Sequence, residues 1–175
     1  MASSSADEPV AEPVVVTHSV DELVQLVSSG TRAEKEMAAQ HIANLAADDP
    51  DSRTAVLRAG GIDPLVEMAR NGTRMEIVWA TNALGTLATN CPENRKALAK
   101  AGCIELFVQM AKNGLPMQKV WATYALGNLA EEDEENELAI ARAGGIEHVT
   151  ALTEEGMAPQ KENARNTLAK INPDD

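Results

Sequence analysis

Trp79 and Trp121 stand 42 residues apart, each inside a Val-Trp-Ala-Thr quartet at 78–81 and 120–123. Polar side chains follow each one at matching offsets: Asn82 and Thr86 after the first, Tyr124 and Asn128 after the second. These residue types suit binding. An amide carries two N–H donors and a carbonyl acceptor, so it can pair with any peptide backbone. An indole offers a flat apolar wall, or a cation–π face, to the stem of Lys or Arg. Bond-breaking chemistry has less to draw on. His18, His41 and His148 share no ligand spacing with Cys91 and Cys103, so no metal site is expected. The glycines recur at the ends of expected helices and not in a phosphate-binding loop. The chain therefore does not read as an enzyme, and no cofactor is expected.

The 42-residue spacing extends to the whole chain. Residues 59–100 match 101–142 at 22 of 42 positions. Gly30, Gly72, Gly114 and Gly156 form one column at this period. Ala38, Ala80, Ala122 and Ala164 form a second, and Leu45, Leu87, Leu129 and Ile171 a third. A short helix, a Gly-rich stop, a second helix, a second Gly stop and a longer third helix account for each unit. The expected helices are 51–58, 62–70 and 74–89; 94–100, 104–112 and 117–130; and 134–142, 146–155 and 159–171. The first unit has only a second and a third helix, 20–28 and 32–47. The expected domain is 18–172, divided as 18–49, 50–91, 92–133 and 134–172, with 173–175 as a tail. Residues 1–17, with Ser3, Ser4, Ser5, Pro9 and Pro13, are expected to be disordered. Trp79, Trp121, Phe107 and Tyr124 are the only aromatic side chains, so Ala and Leu must fill the core. That favours close-packed helices over a sheet.

The pattern resembles the armadillo repeat. The likeness rests on the period, the Gly turn between first and second helices, and third helices ending in Ala83-Leu84-Gly85-Thr86-Leu87-Ala88 and Ala125-Leu126-Gly127-Asn128-Leu129-Ala130. Asn94 and Asn136 in the first helices fit as well. It covers about 20–172 and implies an all-α, right-handed superhelical solenoid with three helices per repeat.

On a helical wheel, Ala80, Leu84 and Leu87 form one stripe, and Trp79, Asn82 and Thr86 form another about 130° away. Trp121, Tyr124 and Asn128 repeat that second stripe. In a stacked solenoid the third helices lie side by side, so equivalent positions form ladders. These are Met37, Trp79, Trp121 and Asn163; Gln40, Asn82, Tyr124 and Asn166; and Asn44, Thr86, Asn128 and Lys170. The resemblance implies a concave groove across these ladders in which an extended peptide lies. The candidate peptide-binding residues are Met37, Gln40, Asn44, Trp79, Asn82, Thr86, Trp121, Tyr124, Asn128, Asn163 and Asn166. The tryptophans could alternatively fill space between repeats. Importin-type grooves place Trp four residues before Asn, where this chain has Gln40, Asn82, Tyr124 and Asn166. A peptide groove therefore carries over, and recognition of nuclear-localisation signals does not.

Fifteen Lys and Arg stand against 27 Asp and Glu, a net charge of −12. That argues against nucleic acid, which needs a basic face, as a partner. It allows a basic protein segment as partner. Glu131-Glu132-Asp133-Glu134-Glu135 precedes a helix start, where the dipole favours carboxylates, or else forms a docking patch. No stretch approaches the roughly 20 apolar residues of a membrane helix, so no membrane insertion is expected. No secretory signal is read at the start, and the expected location is the cytoplasm, with the nucleus as the alternative. A rival reading is a scaffold that forms a homodimer. The first unit lacks its first helix, which would leave Leu23, Val24 and Val27 thinly covered unless Val14-Val15-Val16 folds over them. Polar Thr150, Thr153, Glu162 and Asn163 are expected to cap the other end.

Overall fold

The computed structural model describes residues 18–171, and among them it contains eleven α-helices and no strand. The third helices are α2 (Arg32–Asp48), α5 (Arg74–Leu87), α8 (Pro116–Ala130) and α11 (Ala158–Ile171). The second helices are α1 (Val20–Ser29), α4 (Ile62–Asn71), α7 (Cys103–Asn113) and α10 (Gly145–Glu155). The first helices are α3 (Pro50–Arg58), α6 (Pro92–Lys100) and α9 (Glu134–Arg142). Every expected helix is present, with ends shifted by at most two residues. The expectations for 1–17 and 173–175, including the valine run as a cover, lie outside the described residues.

The same physical devices recur at each repeat. Gly60, Gly102 and Gly144 take φ of 74°, 76° and 78° between first and second helices, a left-handed conformation that other residues adopt at a cost. Each third helix starts with one bond of constant register. The backbone N–H of Thr31, Thr73, Leu115 and Met157 donates to the side-chain oxygen of Glu34, Glu76, Gln118 and Gln160, at 2.6–2.9 Å. The far ends of third helices leave carbonyls without intrahelical partners. The next first helix supplies donors for them. Asn94 Nδ2 donates to Leu87 O (2.9 Å) and Asn136 Nδ2 to Leu129 O (2.9 Å). Buried Arg53 donates to Ala46 O (2.6 Å) and Thr89 O (3.0 Å), and its 42-residue equivalent Arg95 to Ala88 O (3.4 Å).

The core runs the length of the stack. The third helices pack α2 on α5, α5 on α8 and α8 on α11. Ala38, Ala80, Ala122 and Ala164 are wholly buried between them and the second helices, together with Leu84, Leu87, Leu126 and Leu129. The first repeat corrects one expectation. Leu23, Val24 and Val27 are buried, because α1 packs on α2, α3 and α4 together. The missing first helix does not expose them: the following repeat covers the outer side, with Val24 against Gly61.

Candidate functional site

The residues of the second stripe meet different fates. Trp79, Trp121 and Tyr124 are half-buried. Trp121 and Tyr124 form an edge-to-face pair, centroids 5.8 Å apart at 85°, the geometry ring quadrupoles favour. Trp79 packs onto the core. On α2, Met37 is half-buried while Gln40 and Asn44 are exposed. On α5, Asn82 and Thr86 are buried, and the Thr86 hydroxyl donates to the Asn82 carbonyl one turn back (2.9 Å).

The amides split into two groups. Asn128 is 5% exposed and gives its Nδ2 to Gly85 O (3.0 Å) and Thr89 Oγ1 (3.0 Å) of the preceding repeat. Lys170 Nζ reaches its Oδ1 at 3.5 Å. Asn163 Nδ2 donates to Val120 O (3.0 Å). These nitrogens tie one third helix to the next. Gln40, Asn44 and Asn166 keep exposed positions. Sequence reasoning placed all of these on one stripe. A wheel ranks angles and does not say which amide a neighbouring helix's carbonyl will engage.

One groove gathers several of the expected residues. Between α8 and α11 lies a groove of about 340 Å³ lined by Tyr124, Gly127, Asn128, Asn163, Asn166, Thr167, Ala169 and Lys170. Met37, Gln40, Asn44, Trp79, Asn82, Thr86 and Trp121 do not line it. Lys170 pairs with Glu131 (2.9 Å) and sets a charged end to the groove. Thr167, which donates to Thr123 O (2.8 Å), and Lys170 are lining residues beyond the expected set. Position 170 was visible as the last member of the Asn44–Thr86–Asn128 column; Thr167 carries no sequence signal, since its equivalents are Ala125 and Ala83.

The remaining reactive groups offer no second centre. Cys91 and Cys103 are buried free thiols, and burial pushes the Cys103 thiol up to about 12, far from a ready thiolate. Among the described residues, no three His, Cys, Asp or Glu side chains cluster as metal ligands. None of the described helices is long and apolar enough to cross a membrane.

Repeating helical units of 42 residues, with each third helix packed on the next, define a repeat solenoid. Solved structures place it more closely. A crystal structure of an engineered protein superposes with a TM-score of 0.83 at 28% identity, over 89% of this chain and 63% of that one. A designed armadillo repeat protein in complex with the peptide (KR)4 gives 0.80 at 22%, over 87% and 64%. A computationally designed armadillo repeat protein for modular peptide recognition gives 0.79 at 22%, over 86% and 63%. This chain spans less than two thirds of the length of each. No family model and no curated protein sequence matches it. The chain has an armadillo-like repeat fold: an all-α, right-handed solenoid of three-helix repeats.

Proposed function

We propose that this chain is a protein-interaction module whose third-helix face receives an extended, basic segment of a partner protein. The observation that carries this is the groove between α8 and α11, where Tyr124, Asn128, Asn163 and Asn166 share one concavity. Half-buried Trp79, Trp121 and Tyr124 supply apolar faces for Lys or Arg stems. Lys170, the one charged lining residue, is paired with Glu131, and the acidic run that follows Glu131 supplies the negative field beyond the groove end. Exposed Gln40, Asn44 and Asn166 serve a peptide backbone best, since the nitrogens of Asn128 and Asn163 are engaged between helices. A designed protein of the same fold was solved with (KR)4, which supports a basic occupant by likeness of fold alone.

The test is a titration of an eight-residue alternating Lys–Arg peptide followed by tryptophan fluorescence. A saturable change is expected. Tyr124→Ala and Asn166→Ala are each expected to weaken binding by about 1–3 kcal/mol, through lost aromatic contact and an unpaired peptide group. No saturable change, or affinity equal to wild type in both variants, contradicts the reading. The dimer reading drew on exposed Leu23, Val24 and Val27, which are buried. Light scattering at micromolar concentration keeps it open to measurement.

A further inference from the structure

Large apolar side chains left outside the core stand mostly at the starts of third helices. Among the described residues, five are exposed: Met75, Leu115, Met117, Leu138 and Met157. All but Leu138 stand at the starts of α5, α8 and α11, at 40–50% exposure. Those of α8 and α11 are neighbours, and Met75 holds the matching register on α5. The Gln160 amide accepts from Met157 N–H (2.8 Å) and donates to Pro116 O (3.0 Å), which holds Met157 beside Leu115 and Pro116. Met117 follows in the same turn, and Met75 is its equivalent one repeat earlier. Methionine is unbranched and polarizable, so such a strip adapts to irregular apolar partners. A contiguous apolar patch rimmed by polar residues marks an interaction surface.

Beside the strip a cavity of about 490 Å³ opens between α7, α10 and the starts of α8 and α11. Leu152, Ala151 and Pro116 form apolar wall, and Lys112 and Lys119 outnumber the one lining carboxylate, Glu155. In a chain of net charge −12 that is a local reversal of sign. Lys161 on the first turn of α11 is followed by exposed Glu162, and Arg74 stands on the first turn of α5. Glu76, also there, is buried with its carboxylate on the Thr73 N–H. The opposite ends of α2 and α8 carry Asp48, Asp49, Asp51 and Glu131–Glu135 instead.

We propose that this rim is a second docking surface, separate from the groove, for an acidic segment of a partner protein that carries large apolar side chains. The apolar groups lie on Met75, Leu115, Met117 and Met157, one of them enters the cavity, and its carboxylates face Lys112 and Lys119. An anionic lipid surface would meet the same charges. A flat bilayer cannot enter a concavity walled by Leu152 and Ala151, so the cavity favours a protein segment.

The experiment uses a random dodecapeptide display library on the full chain. Retained peptides are re-tested on Met117→Glu, on Lys119→Glu and, as a control, on Leu138→Glu. All three sites are exposed or half-exposed, and circular dichroism checks that the variants keep their helix. The expected result is a set of peptides rich in Asp or Glu with Leu, Met or Phe. Each binds the two rim variants at least tenfold more weakly and Leu138→Glu unchanged. The proposal is overturned if no peptide depends on both rim residues, or if the dependent peptides are basic. Phosphatidylserine vesicles that bind wild type and lose both variants, with no dependent peptide, also overturn it.

Discussion

Cys91 occupies a column where the neighbouring repeats hold aspartate. Asp49 accepts from the N–H groups of Asp51 (3.1 Å) and Ser52 (3.0 Å), and Asp133 from that of Asn136 (3.1 Å). Cys91 begins α6 with nearly the backbone of Asp133, φ −135° against −142°, yet makes no such bond. Cys91→Asp is therefore expected to stabilise by about 1 kcal/mol, roughly 2–4 °C in Tm at this size. A thermal melt checks it; a lower Tm would mean that burying the carboxylate outweighs the cap. Glu76 gives a second residue-level expectation. Its bond from the Thr73 N–H holds its carboxyl below the ordinary carboxylate range. A folded pKa below the unfolded one adds stability that is full above the unfolded value and lost as pH falls through the folded value. Gln118 and Gln160 make the same bond without titrating. Wild type and Glu76→Gln are thus expected to converge in Tm as pH falls from 7 toward 3, while parallel curves would contradict the assignment.

Gly85 and Gly127 sit inside α5 and α8, where a glycine costs about 1 kcal/mol relative to alanine in an open helix. Here the neighbouring helix occupies the space. A Cβ on Gly85 would lie 2.9 Å from Ala125 Cβ and 3.1 Å from its Cα, backbone that cannot give way. Gly85→Ala is expected to destabilise by about 1–3 kcal/mol despite its better propensity, measured by urea unfolding. A gain would mean that α5 and α8 are less closely packed. Helices and repeat boundaries were legible in sequence because Gly60, Gly102 and Gly144 need left-handed backbone at every period, and a column marks that need. The site was legible in part. Tyr124, Asn128, Asn163 and Asn166 of the candidate set line the α8–α11 groove, and their spacing on one stripe follows from helical geometry alone. The engagement of Asn128 by Gly85 O was not legible, because it depends on the distance between two helices 43 residues apart. The coverage of Leu23 and Val27 by α3 and α4 escaped for the same reason.

At the scale of the molecule the stack has one polarity along its third helices. The ends of α2 and α8, where they meet first helices, are acidic, and the starts of α5, α8 and α11 carry the exposed Met75, Leu115, Met117 and Met157. Between them run the ladders, tied across repeats by Asn128, Asn163, Gln160 and Thr167. Such a stack holds its face rigid, so binding needs little ordering of the scaffold, and most of the entropy cost falls on the peptide. The central claim is that this face is where a partner segment lies. Two-dimensional amide NMR of the labelled chain, titrated with the alternating Lys–Arg octapeptide, reads it directly. The account predicts shifts concentrated on the indole N–H signals of Trp79 and Trp121 and the side-chain amides of Gln40, Asn44 and Asn166. Shifts confined to α3, α6 and α9, or to the starts of α5, α8 and α11, would contradict it.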